Sequence, residues 1–154
     1  MIQGATLCQE PKGQAEPSPA AANSPRVGDF RTLLAVGFGA ALGGISRLLV
    51  GEFVTVRAGA AAAPYATLFI NVSGSFVIGL VLGMLQTRSD VSPLWRLFIA
   101  TGILGGYTTF SAFSFEALGL GLNGALAAAA AYCVASVGCG IAAAYAGLAL
   151  ARFV

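Results

Sequence analysis

The chain has 154 residues, of which 57% are hydrophobic and only 9% charged, with a formal net charge of +2 and no histidine. A soluble domain carries about 25% charged residues, so this composition cannot cover a water-facing surface and indicates an integral membrane protein. The chain shows no basic patch for nucleic acid and no nucleophile-and-base set for an enzyme.

Its length leaves room for about four membrane helices of roughly 20 residues each. Residues 1–29 are rich in Pro, Ala, Gly, Gln and Ser and lack the apolar core of a signal peptide. They are expected to form a disordered extension, leaving residues 30–154 as the membrane domain. The first apolar segment runs from about Thr32 to Val50, with Arg47 near its end. An Ala/Gly-rich loop, Gly51 to Pro64, with Glu52 and Arg57, is expected next. The second segment runs from about Thr67 to Leu85, and a connection from Gln86 to Pro93 carries Arg88 and Asp90. The third runs from near Leu94 to about Leu118, a tight turn is expected around Gly119 to Asn123, and the fourth runs from near Gly124 to Leu150. Connections this short make each helix antiparallel to its neighbour. A barrel would need alternating strands of about 10 residues, and no alternation is visible.

Gly39 and Gly43, Gly79 and Gly83, and Gly102 and Gly106 recur at four-residue spacing, which lets helices approach closely. Cys8, Cys133 and Cys139 have no metal or redox spacing. With the N-terminus in the cytoplasm, Arg26, Arg31, Arg88, Arg96 and Arg152 lie inside and Arg47 and Arg57 outside, a small positive-inside bias.

In the second segment, Thr67, Asn71 and Ser75 are spaced by four and share a face. An amide at the depth of Asn71 needs partners. It can glue helices by bonding a backbone carbonyl, or its NH2 can donate to an anion. The third segment contains Gly102-Ile-Leu-Gly-Gly-Tyr-Thr-Thr-Phe-Ser-Ala-Phe-Ser-Phe-Glu116. Hydrocarbon offers polar groups no partners, so such a run suggests a broken helix beside a polar pathway. The glycines weaken the helix, and unwinding at Gly105 to Thr108 would free carbonyls able to hold a bare monovalent cation. Phe110 and Phe113 are adjacent on one face. They can simply pack, or turn their positive ring edges to an anion. Ser111 and Ser114 flank them, and these hydroxyls can also bond their own helix. In the fourth segment Tyr132 and Ser136 share a face. Arg47 can snorkel to the interface or draw anions to a vestibule. Glu116 falls near the end of the third segment, and no acidic residue occurs at the middle of any span. That disfavours the competing reading, a small four-helix proton-coupled multidrug exporter, whose relay needs a buried carboxylate.

Together these phrases resemble the Fluc or CrcB family of fluoride channels over about residues 32–151. Gly105-Gly106-Tyr107-Thr108-Thr109-Phe110-Ser111-Ala112-Phe113-Ser114-Phe115-Glu116 is similar to the family's GGxTTFSTFSxE signature, Thr67 to Gly74 to its TLxxNxxG phrase, and Gly43 to Arg47 to its GxxxR phrase. Ala112 departs from the usual Thr, and Ala66 from the usual Gly. The resemblance implies a passive fluoride-selective channel that relieves fluoride toxicity. It would be all-α, with four transmembrane helices per chain and a broken third helix, and multi-pass in the cell inner (plasma) membrane. It also implies an antiparallel dimer with fluoride pathways along its interface and a structural sodium ion at its centre. The sodium would be held by the backbone carbonyls of Gly105 and Thr108. Fluoride would meet Phe110, Phe113 and Asn71, with Thr67, Ser111, Tyr132 and Ser136 along its track and Arg47 in a vestibule or structural role. A homodimer is expected, and the arginine bias also admits a heterodimer with an oppositely inserted homologue.

Overall fold

A computed structural model of the chain describes residues 28–87 and 91–153. Cys8, Arg26, Arg88, Asp90 and all but the last two residues of the expected extension lie outside the described residues. The described residues form helices joined by short turns, with no strand among them. Four spans are long and apolar enough to cross a membrane. Helix α1 is Phe30–Ala58 and α2 is Ala63–Thr87. The third span is composite. It begins as α3, Pro93–Arg96, continues as a π-helical segment, Leu97–Leu104, then α4, Gly105–Tyr107, and resumes as α5, Phe110–Leu122. The fourth span is α6, Leu126–Leu150, closed by a 3-10 turn at Ala151–Phe153.

Two connections differ from expectation. The loop expected from Gly51 to Pro64 is mostly helix, because nothing between Gly51 and Ala58 breaks one. Thr55 bonds back to the Gly51 carbonyl at 3.0 Å instead. The helix stops at Gly59, whose φ of 87° suits glycine and whose N–H closes on Thr55 O. Pro64 then falls in the first turn of α2, where its missing N–H costs nothing. Likewise α5 continues through Gly119 and Gly121 to Leu122, and the turn is confined to Asn123–Ala125. In an apolar medium an unpaired backbone group is costly. Weak helix formers therefore stay helical until the chain can close its own bonds, here Asn123 N to Gly119 O and Ala125 N to Leu120 O.

The spans pack in pairs. α2 lies along α6, and α1 lies along the π segment and α4. Both seams are lined with glycine. A Cβ at Gly43 would overlap the Ile103 carbonyl, one at Gly106 the Ala40 carbonyl, one at Gly79 the Ala144 carbonyl, and one at Gly147 the Phe76 carbonyl. The small-residue spacing thus brings backbone against backbone. The buried positions include small or polar residues such as Ala62, Ala66, Thr32 and Thr67 beside the larger Ile70, Leu104 and Tyr132, while many large apolar side chains including Phe38, Leu49, Phe110, Phe115, Val134 and Ile141 face outward. Cys133 is half-buried, Cys139 exposed, and both are free thiols.

Candidate ion pathway

The break in the third span occupies two residues. Thr108 (φ −77°, ψ 156°) and Thr109 (φ −147°, ψ 128°) are extended, a conformation that suits β-branched residues. Gly105–Tyr107, expected to unwind, remain a helical turn. Thr108 ends that turn by bonding Leu104 O through its N–H (3.0 Å) and its hydroxyl (2.9 Å). Thr109 starts the next helix, its hydroxyl accepting from Ala112 N at 3.3 Å.

Asn71 of α2 supplies what the interrupted ladder lacks. Its Nδ2 donates to Thr109 O at 2.9 Å, and its Oδ1 accepts from Thr109 N at 2.8 Å. Both bonding groups of one peptide residue are thereby satisfied by one amide. In an unbroken helix Thr109 N would bond the carbonyl four residues back, that of Gly105. Asn71 diverts this donor and so releases the Gly105 carbonyl. The amide acts as helix glue, and its second N–H remains for another acceptor.

A second cluster lies further along α5. The Glu116 carboxylate accepts from the Thr67 hydroxyl at 2.7 Å and from the Tyr132 hydroxyl at 2.6 Å, tying α2, α5 and α6 together. Because α5 reaches Leu122, Glu116 sits a full turn deeper than the sequence suggests. The Phe113 ring lies between two others, 5.5 Å from Phe110 and 5.3 Å from Tyr132, each tilted by 50°. Phe110 is 78% exposed on the single chain. Ser111 sits 3.2 Å from the Thr109 hydroxyl. Ser114 bonds its own helix at Phe110 O. Ser136 is half-buried, and its buried hydroxyl has no hydrogen-bond partner.

Two cavities meet at the break. The larger, about 560 Å³, is lined by Arg47, Glu52, Thr67, Thr109, Ala112 and Glu116 among others. The smaller, about 310 Å³, is lined by Asn71, Ser75, Gly105, Thr108, Thr109 and Phe110 among others. Thr109 borders both. Asn71, Phe110, Gly105 and Thr108 therefore share the smaller cavity, while Arg47 and Thr67 belong to the larger. Tyr132 borders a third cavity of about 350 Å³ near Pro64 and Tyr65. Ala112 leaves its side of the larger cavity without the hydroxyl that a Thr would bring.

Sequence reasoning missed the role of Glu116, whose available signal was a lone carboxylate in an otherwise apolar span. It also missed the hydrogen bond between Ser73 and Tyr107, at 3.0 Å.

The sequence model of the family described as "CrcB-like protein, Camphor Resistance (CrcB)" matches residues 34–148. The chain belongs to the CrcB family. It is 50% identical over 120 residues to a fluoride-specific ion channel FluC of Rhizobium meliloti, covering 78% of this chain and 95% of that one. It is 49% identical over 121 residues to a protein of the same name from Rhodopseudomonas palustris, covering 79% and 97%. A third, from Agrobacterium fabrum, is 45% identical over 117 residues, covering 76% and 93%. The CrcB match includes most of the first and fourth spans, all of the second and third, and every residue of the two clusters.

Proposed function

We propose that this CrcB protein is a passive, fluoride-selective channel of the inner membrane, not an enzyme, that lets fluoride leave the cell. The observation that carries the proposal is the Asn71–Thr109 joint. It opens the third span beside a cavity, leaves an amide N–H unspent there, and starts the helix that carries Phe110 and Phe113. Fluoride is small and strongly hydrated, so a pore must replace its water with donors. The spare Asn71 N–H, the Ser111 hydroxyl and the positive edges of the phenylalanine rings are of that kind. The unpartnered Ser136 hydroxyl is a further donor beyond Tyr132. An inside-negative potential favours anion exit by about 2.3 kcal/mol per 100 mV, so no coupling ion is needed.

The working unit in this proposal is an antiparallel dimer. On one chain Phe110 is exposed and the smaller cavity is open, and a second copy would complete the wall there. The donor set also fits sodium: the Gly105 carbonyl has lost its helical N–H to Asn71, and Thr108 is extended, turning its carbonyl off the axis of α4. A cation there would offset the cost of bringing an anion into a low-dielectric site.

Efflux from liposomes reconstituted with the purified protein tests the proposal. The expected result is fluoride release, with chloride excluded and no requirement for a pH gradient. Equal passage of chloride would rule out selectivity, and flux only with a proton gradient would favour the exporter.

A further inference from the structure

We propose that Tyr107 is a positioning residue whose hydroxyl bond to Ser73 sets how the one-turn helix α4 presents the Gly105 carbonyl. The proposal rests on the sodium reading given above. α4 consists of Gly105, Gly106 and Tyr107. It is the last turn of the helical run that begins at Pro93; its two glycines give that end little stiffness, and the extended residues after it supply none. The preceding helix sets its general direction, and its surroundings fix the final angle of this end. On one side α1 packs backbone to backbone, with Gly43 against Tyr107 N and Ala40 against Gly106. On the other side three consecutive residues touch α2. Tyr107 bonds Ser73, Thr108 Cγ2 fills the space where a Cβ on Gly74 would go, and Thr109 is held by Asn71.

The Ser73 hydroxyl donates to Ile70 O at 3.1 Å. With its one proton so used, it accepts from Tyr107. Phenylalanine or leucine would fill the same space without this bond. Asn71 decides that the Gly105 carbonyl is released; Tyr107, two residues along, holds the turn that carries it.

The test is thermal unfolding of the purified, assembled protein as sodium replaces N-methylglucamine at constant ionic strength, comparing wild type, Tyr107→Phe, Ser73→Ala and the double variant. Each single variant is expected to need about fivefold more sodium for half-maximal stabilisation, the factor for one neutral hydrogen bond. The double variant should need no more than either single one. Variants that lower the unfolding temperature equally at all sodium concentrations, with the half-maximal concentration unchanged, would overturn the positioning role and leave the sodium reading standing. A wild-type transition indifferent to sodium would overturn the sodium reading and this proposal with it.

Discussion

At the scale of single residues, Asn71 is helix glue, and the proposed channel gives it a second task. Its carbonyl oxygen and one N–H hold Thr109, and the other N–H is left over. Substitution tests both tasks. Asn71→Ala strands Thr109 N and O, and should cost about 1–3 kcal/mol of stability together with fluoride flux. Asn71→Asp keeps an acceptor for Thr109 N but places a carboxylate by the anion path. It should abolish flux and, while ionised, be no more stable than Asn71→Ala, because its second oxygen then faces Thr109 O with no proton to share. Phe110→Ile, at a site 78% exposed on the single chain, should cut flux at least about tenfold, the equivalent of 1.4 kcal/mol, with no fall in the unfolding temperature of the isolated subunit. Liposome efflux paired with unfolding in detergent reads all three. The residue types at these positions were legible in the sequence, as was the shared face of Thr67, Asn71 and Ser75. The partners were not. Thr67 and Glu116 are 49 residues apart, and no local periodicity reports a bond of that range.

At the scale of elements, the four spans could be read directly, since each is a long apolar run with few competing signals. The ends were harder. Gly51 and Gly119 looked like loop residues because glycine breaks helices in water. In lipid the lost backbone bonds cost more than the propensity, and both stay helical. The break was expected from Gly105 to Thr108 for the same reason; Thr108 is part of it, but Gly105–Tyr107 stay helical and Thr109 joins it, because Asn71 stands opposite Thr109. Glycine here chiefly permits close approach. Gly43→Ala drives a Cβ into the Ile103 carbonyl, whereas a Cβ on Gly37 meets nothing within 4 Å. We expect Gly43→Ala to cost at least about 1–3 kcal/mol and to broaden the size-exclusion profile. Gly37→Ala should be neutral or slightly stabilising, since alanine is the better helix former by about 1 kcal/mol.

At the scale of the whole molecule, α1 is longer than the bilayer requires. Its 29 residues span about 44 Å, against a hydrocarbon thickness of about 30 Å. Its C-terminal turns lengthen the wall of the larger cavity, where Gly44, Arg47, Leu48, Gly51, Glu52 and Thr55 form one stripe. Arg47 would draw anions toward this mouth and Glu52 would repel them. Glu52→Gln should raise fluoride flux about twofold at low ionic strength, the effect of one unit charge at roughly 10 Å in water. The gain should vanish at 1 M salt, where the screening length falls to about 3 Å. An increase that persisted at high salt would mean that Glu52 acts by some route other than its field.

The borrowed bonds of Thr109 also bear on how the chain is assembled. A span entering the bilayer by itself must satisfy its own peptide groups, and the third span as folded cannot, because two of its bonds belong to Asn71. The break therefore depends on α2 being docked against it. The gap at Thr108–Thr109 is thus a property of the docked pair of spans and not of the third span alone.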